Sequence, residues 1–239
     1  MSPLPFALLD LLFPRACLVC GGAVADETGG HVCWDCAAAF PRVELPFCTR
    51  CGDPVDGRVE SAYTCSFCRR RRPRFDRARS ALRYRGGVRR AVHALKYGHA
   101  TYASRDLARW MAACCRVHYA DERFDTVTAV PLHARRQRER TYNQAELLGR
   151  ALAAELRLDF AGRLLRRTRP TASQTELSAA ERRRNVNKAF TAADGGWIDG
   201  RRILLVDDVM TTGATVAECS RVLKDAGAVT VHVITAARG

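Results

Sequence analysis

Lysine is nearly missing from this chain. Of its 39 basic residues only Lys96, Lys188 and Lys224 are lysine and the other 36 are arginine, a bias that high-GC coding produces without help from function. The net charge of +14 favours a polyanion, a phosphorylated small molecule or an anionic membrane surface without choosing among them. A long apolar run is missing too. The one candidate, Leu4 to Phe13, is broken by Pro5 and Asp10 and falls far below the roughly 20 residues of a spanning helix. The first basic residue, Arg15, follows that stretch instead of preceding it, so it does not read as a secretory signal, and a short amphipathic helix is expected there.

What is present supports a folded protein. A length of 239 residues is about one and a half typical domains. With 47% hydrophobic and 27% charged residues, one sizeable core is affordable and wholesale disorder is excluded.

Eleven cysteines are many for this length. Eight form four C-x-x-C pairs, Cys17/Cys20, Cys33/Cys36, Cys48/Cys51 and Cys65/Cys68, separated by 12, 11 and 13 residues. An odd total and this pairing suit thiolate ligands in a reducing cytoplasm better than a disulfide framework. Each x-x spacing lets a tight turn aim two thiolates at one ion, and two turns complete a closed, structural four-thiolate zinc site. Eight cysteines make two zinc sites. Sequential pairing, Cys17, Cys20, Cys33 and Cys36 on one ion and Cys48, Cys51, Cys65 and Cys68 on the other, is favoured. A crossed arrangement has the same ligand count, and an iron–sulfur cluster is the competing metal reading. Few apolar residues lie between the pairs, so metal binding supplies the folding free energy of this module. Of the remaining thiols, Cys114 falls on an apolar stripe with Leu107, Trp110 and Met111, Cys219 on one with Val216, Val222 and Leu223, and Cys115 beside its stripe.

From Arg69 to Arg90 there are eleven arginines and one acid, Asp76. The densest part, Arg69 to Arg74, contains Pro73 and reads as a linker. Such a run can track a nucleic-acid backbone or serve as a solvated connector. Only Phe67, Phe75 and Tyr84 interleave it, a thin basis for stacking single strands.

Beyond the linker, strands and helices alternate. Arg77 to Tyr84 is expected as a strand, Val88 to Tyr97 as a helix, and Arg105 to His118 as a helix capped by Ser104. Thr126 to Val130 is a short strand, and Asn143 opens a helix with Ala145, Leu148 and Leu152 on one face. Ile203 to Val206 is a continuous apolar strand, Thr215 to Ala226 a helix stopped by Gly227, and Val229, Val231 and Val233 alternate in a last strand. This order implies an α/β fold with a mostly parallel sheet covered on both faces. Domains are expected at 1–72, cysteine-rich, and 73–239, α/β.

Ligands of such sheets bind beyond the carboxyl ends of strands, which places the site at Asp207 to Thr215. Gly213 permits a tight turn, and the backbone N–H groups from Thr211 to Thr215 and the following helix start can surround a phosphate. Asp207 and Asp208 can accept hydrogen bonds from two vicinal hydroxyls. A phosphate at one end and a diol at the other describe a ribose 5-phosphate.

This loop resembles the phosphoribosyl pyrophosphate (PRPP) loop of type I phosphoribosyltransferases. The resemblance gives Asp207 and Asp208 the ribose hydroxyls, and Thr211, Thr212, Gly213, Ala214 and Thr215 the 5-phosphate. The order of other motifs is similar to the ComF family of competence-associated proteins, also typified by GntX: a cysteine-rich start, Leu95-Lys96-Tyr97-Gly98, Val130-Pro131-Leu132-His133 with Arg135 and Arg138-Glu139-Arg140, then Asn143-Gln144-Ala145-Glu146, and Gln174 with Glu181-Arg182-Arg183-Arg184-Asn185. Where that family usually reads Arg-Gly-Phe-Asn-Gln, this chain has Arg140-Thr141-Tyr142-Asn143-Gln144.

The resemblance implies a pyrophosphate loop at Leu132, His133 and Arg135, with Arg136, Arg138 and Arg140 beyond it, and a mobile loop within Arg163 to Asn185 that includes Gln174, Arg182 and Asn185. It implies Mg2+ bound with PRPP, and partners that include single-stranded DNA and other DNA-uptake proteins. The implied role is in DNA uptake and natural transformation. The alternative is an active phosphoribosyltransferase with a nucleobase or amine acceptor and no DNA role, its transition state stabilised electrostatically.

Overall fold

The computed structural model describes residues 15–24, 30–55, 57, 59, 62–169, 188–193 and 195–239. The helix expected within 4–13 lies outside them. Among the described residues no helix is long and apolar enough to cross a membrane.

Four parallel strands form the main sheet: β1 (Ala78–Arg83), β2 (Thr126–Ala129), β5 (Arg202–Met210) and β6 (Thr230–Arg238), in the order β1-β6-β5-β2. Two short strands, β3 (Leu165–Arg167) and β4 (Phe190–Ala192), pair antiparallel apart from it, and two short helices are α1 (Trp34–Ala38) and α7 (Gly195–Ile198). The α/β class with a largely parallel sheet holds, preceded by a small cysteine-rich unit.

The central strand β5 is buried on both faces, which its unbroken Ile203-Leu204-Leu205-Val206 run requires. Ile203 and Leu205 belong to one core cluster, with Val216, Cys219 and Leu223 of helix α8 (Ala214–Asp225). Leu204 and Val206 belong to the other, beneath α3 (Gly86–Tyr97), α4 (Ala103–His118) and α6 (Gln144–Leu156). In α3 the buried residues are Val88, Ala91, Val92 and Leu95, the spacing of one helix face.

Several local expectations change. Ser104 lies inside α4, donates to the Thr101 carbonyl (2.6 Å) and does not cap the helix; Tyr102 occupies the N-cap without a side-chain bond. Cys115 is the buried thiol of its pair and Cys114 is half-buried, because the α4 face that meets the core runs through Met111, Ala112 and Cys115. Residues 69–71 complete a short helix, α2 (Ser66–Arg71), and only at Arg72, in the left-handed region (φ 43°), does the chain turn away. Strand β5 runs on through Met210, so both aspartates are strand residues.

The two cysteine knuckles dock differently. The first lays Leu18, Val19 and Val32 against the core under α3 and α4, and Asp106 accepts the His31 N–H at 2.9 Å. The second covers the outer edge of β1: the Ala78 N–H donates to the Arg50 carbonyl (2.7 Å) and Arg79 Nη2 to that of Thr49 (2.9 Å). Gly52 (φ 66°) fits where a Cβ would stand 2.8 Å from the Ala78 carbonyl oxygen.

Candidate functional site

Because side chains alternate along a strand, β5 sends its two aspartates to opposite faces. Asp208 follows Leu204 and Val206 and meets Lys96 from the last turn of α3, with Nζ 3.2 Å from Oδ1. Asp207 follows Ile203 and Leu205, and lies within electrostatic reach of Arg167 and Cys219. Its Oδ1 accepts the Asp208 N–H at 2.9 Å, and Asp208 Oδ1 accepts the Val209 N–H at 2.6 Å. Loss of water around Asp207, with Asp208 beside it, raises its carboxyl to about 7. Burial works against the charge on Lys96, yet the two aspartates outweigh it and raise its pKa.

The other oxygen of Asp208, Oδ2, is buried and has no hydrogen-bond partner among the described residues. A buried carboxylate oxygen left in that state is costly. A hydroxyl group donating from the cleft would satisfy it.

Past β5 the chain turns at Gly213, the N-cap of α8, with φ 72°; a Cβ there would stand 2.6 Å from Met210 Cε. Thr212 Oγ1 accepts the Ala214 N–H at 3.4 Å. Gly213 and Ala214 are buried, while Thr211, Thr212 and Thr215 are half-buried. A cleft of about 200 Å³ opens over this turn, lined by Asp207, Asp208, Thr211 and Thr215 on one side. Lys96, Arg136, Arg140 and Arg167 also line it, with Leu132 and, at the start of α6, Asn143 and Gln144. Asn143 caps α6 by accepting the Ala145 N–H (3.0 Å) and donates to the Val130 carbonyl (3.0 Å), which ties the helix start to the end of β2. A neighbouring cavity of about 310 Å³ shares Lys96, Tyr97, Arg136 and Arg140. Another of about 1020 Å³ shares Leu132, Asn143 and Arg167.

Of the residues expected in the pyrophosphate loop, Leu132 lines the cleft and His133 is not among its lining residues. Arg135 sits on helix α5 (Ala134–Arg140), which also carries Arg136 and Arg140, and these two do reach the cleft. Gln174, Arg182 and Asn185 lie outside the described residues. Lys96 and Arg167 were not singled out as site residues from sequence. Lys96 had a signal in its rarity, as one of three lysines, and in the Leu95-Lys96-Tyr97-Gly98 motif; Arg167 falls within the 163–185 segment expected as a mobile loop, but it lies in strand β3.

The cysteines gather as two sets. The Sγ atoms of Cys17, Cys20, Cys33 and Cys36 lie within 4.8 Å of one another, as do those of Cys48, Cys51, Cys65 and Cys68, and each set can hold a metal ion. The sequential pairing is the one that forms. Burial raises the Cys17 thiol, but backbone N–H groups, including Cys33 at 3.3 Å and Val19 at 3.4 Å, hold it lower, at about 6. Cys48 is held well below the ordinary thiol value by the Cys51 and Cys68 thiols and by the N–H groups of Cys51 and Cys65.

Comparison with known proteins finds two family models along the chain. The double zinc ribbon domain matches residues 8–72 and the phosphoribosyl transferase domain residues 143–239. The chain is 33% identical over 226 residues to the DNA utilization protein YhgH of Salmonella typhimurium, covering 93% of this chain and 96% of that one. The chain belongs to the ComF/GntX family. Its relatives of that family include the Escherichia coli K12 YhgH, 31% identical with the same coverage, and Competence protein F of Haemophilus influenzae, 29% identical over 230 residues, 95% of this chain and 98% of that one. Among solved structures, the glutamine PRPP amidotransferase of B. subtilis is similar with a TM-score of 0.41 and 20% identity, over 61% of this chain and 30% of that one.

Proposed function

We propose that this ComF/GntX protein binds PRPP in the cleft above β5 and acts in the uptake or use of DNA in the cytoplasm. The observation that carries the reading is the unpartnered, buried Oδ2 of Asp208 beside Asp207 and a glycine-hinged helix start. Asp207 and Asp208 accept the ribose hydroxyls, Thr211 to Thr215 hold the 5-phosphate, and Lys96, Arg136, Arg140 and Arg167 face the pyrophosphate. Mg2+ bound with PRPP supplies charge neutralisation on the pyrophosphate oxygens. Zinc fits both cysteine sets, because four thiolates that close on one ion make a tetrahedral structural site. Calorimetry with PRPP and Mg2+ tests the assignment: binding is expected in the intact chain and absent in Asp207→Ala. Failure of the intact chain to bind overturns it.

The names of the relatives, a DNA utilization protein and a competence protein, support the cellular side. The basic run divides into buried or paired arginines and exposed ones, and the exposed ones support a DNA contact. Arg79 is buried, and Arg77 pairs with Asp121 and Glu122, so neither is available to a polyanion. Arg69, Arg70, Arg71 and Arg72 are exposed, and Arg50, Arg69 and Arg72 line a groove with Thr49 and Thr64. Single-stranded DNA tracks this groove through its phosphates. Its affinity should fall steeply with salt, and neutralising Arg69 to Arg72 should flatten that slope; equal slopes rule out the groove.

Cations converging where a leaving pyrophosphate would sit also favour turnover. Pyrophosphate release in the presence of one nucleobase or amine from a panel would make the protein a transferase, and release with none would leave it a binding protein.

A further inference from the structure

The two knuckles are built alike, and one difference between them reaches the phosphate loop. In each, the first cysteine's N–H donates to the carbonyl five residues on, Cys17 to Gly22 (2.6 Å) and Cys48 to Asp53 (2.8 Å). In each, a glycine N–H returns to the first cysteine's carbonyl, Gly21 to Cys17 and Gly52 to Cys48. Gly22 and Asp53 are therefore equivalent positions, and only the second carries a side chain.

That side chain grips the end of β6. Asp53 Oδ1 accepts from Nε (3.0 Å) and Nη2 (2.6 Å) of Arg238. The third nitrogen, Nη1, donates to the carbonyls of Met210 (3.1 Å) and Thr211 (2.5 Å), where the chain leaves β5 for the phosphate loop. Arg238 is only 8% exposed. A guanidinium is a rigid plane, so fixing one edge on Asp53 fixes the direction of the other.

The consequence for the loop follows from peptide planarity. In a trans peptide the N–H points opposite to the C=O. Holding the Met210 and Thr211 carbonyls toward Arg238 aims the Thr211 and Thr212 N–H groups away from it, and these amides belong to the loop assigned to phosphate. We propose that Arg238 is a positioning residue for this loop and that the second metal knuckle, through Asp53, keeps Arg238 in place. Occupancy of the Cys48/Cys51/Cys65/Cys68 site then sets the loop's affinity for a phosphate dianion. The inference rests on the reading of residues 211–215 as a phosphate loop.

The test uses the full-length, metal-loaded chain and two readouts, amide hydrogen exchange over 211–215 without ligand and calorimetry with PRPP and Mg2+. Asp53→Asn should keep both metal ions, speed exchange of the Thr211 to Ala214 amides at least about tenfold, and weaken PRPP about tenfold, which is about 1.4 kcal/mol. Asp53→Glu should restore most of both. Asp106→Asn, which loosens the first knuckle's dock instead, should exchange at the wild-type rate over this loop. Removing a ligand of the second site with Cys68→Ser should reproduce the fast exchange with Asp53 and Arg238 intact. Wild-type exchange in Asp53→Asn, or equal acceleration in Asp106→Asn, overturns the proposal. A wild-type chain that fails to bind PRPP while Asp53→Asn still speeds exchange overturns the ligand reading and leaves the brace standing.

Discussion

Lys96 Nζ lies 3.2 Å from Asp208 Oδ1, and the two side chains are only 18% and 7% exposed. In a chain that uses arginine almost everywhere, a lysine stands where a compact ammonium must reach one carboxylate oxygen and leave the other open. Arginine's planar fork would span both oxygens and compete with a ribose hydroxyl for Oδ2.

Two outcomes follow for this pair. Lys96→Met strands a nearly buried carboxylate and should lower stability by about 3 kcal/mol in denaturant unfolding, while Lys96→Met with Asp208→Asn recovers most of it. Lys96→Arg should keep stability but weaken PRPP binding, since Oδ2 is then occupied. Unchanged PRPP affinity in Lys96→Arg would remove Oδ2 from the ligand's contacts.

Asp207 gives a pH dependence with a definite sign. Its carboxyl is raised from an ordinary 3.8 to about 7, first by loss of water around it and then by Asp208. A raised acid is stabilising below its unfolded value, and that stability is lost as pH climbs through the folded value. Asp207→Asn should therefore gain on the wild type between pH 4 and 7 and level off above. The gain at pH 8 should exceed about 1 kcal/mol, and urea unfolding at pH 5 and pH 8 measures it. The opposite holds for ligand affinity: wild-type PRPP binding should strengthen as pH rises through about 7, because a charged carboxylate is the better acceptor.

The unbroken apolar run of β5, the helical spacing of α3 and the four cysteine pairs are local patterns, and each was legible in the sequence. The acid–acid–threonine–glycine order at the end of β5 was legible for the same reason: its members follow one another closely in sequence. What escaped depends on strand parity and on distant docking. Asp207 and Asp208 read as one loop feature, yet β5 continues to Met210 and turns them to opposite faces, Asp208 paired with Lys96 and Asp207 feeling the charges of both Lys96 and Arg167. Likewise the run from Arg69 to Arg90 reads as uniform charge, and only the fold separates buried Arg79 from exposed Arg72. Nothing in the spacing of Asp53 and Arg238, 185 positions apart, marks them as partners.

Thr141 carries strain that its side chain does not relieve. It stands where the family usually has glycine, and its φ of 66° is in the left-handed region that costs a non-glycine residue about 1–2 kcal/mol. Among the described residues its hydroxyl donates to the adjacent Arg140 carbonyl (2.6 Å). Part of that cost returns as the greater unfolded-state entropy of glycine. Thr141→Gly should thus raise stability by about 1 kcal/mol in thermal unfolding and leave PRPP affinity unchanged, since Arg140 and Asn143 keep their places. A loss of stability would mean the hydroxyl contact outweighs the backbone strain.

The two metal sites should empty at different rates. Cys48, Cys51, Cys65 and Cys68 are all buried, whereas Cys20 is exposed and Cys33 and Cys36 are half-buried. A chelator acts by entering the coordination sphere or by catching a ligand that swings free, and both need solvent at the sulfur. Zinc release followed with a metal-sensitive dye should be biphasic, one equivalent fast and one slow. Cys20→Ser should abolish the fast phase alone. Because the second knuckle bonds the start of β1 through Thr49 and Arg50 while Leu18, Val19 and Val32 of the first pack under α3 and α4, loss of the fast ion should leave the sheet's cooperative unfolding in place and loss of the slow ion should lower it. A single phase for both ions would show that the knuckles open together and that burial of the second set does not protect it.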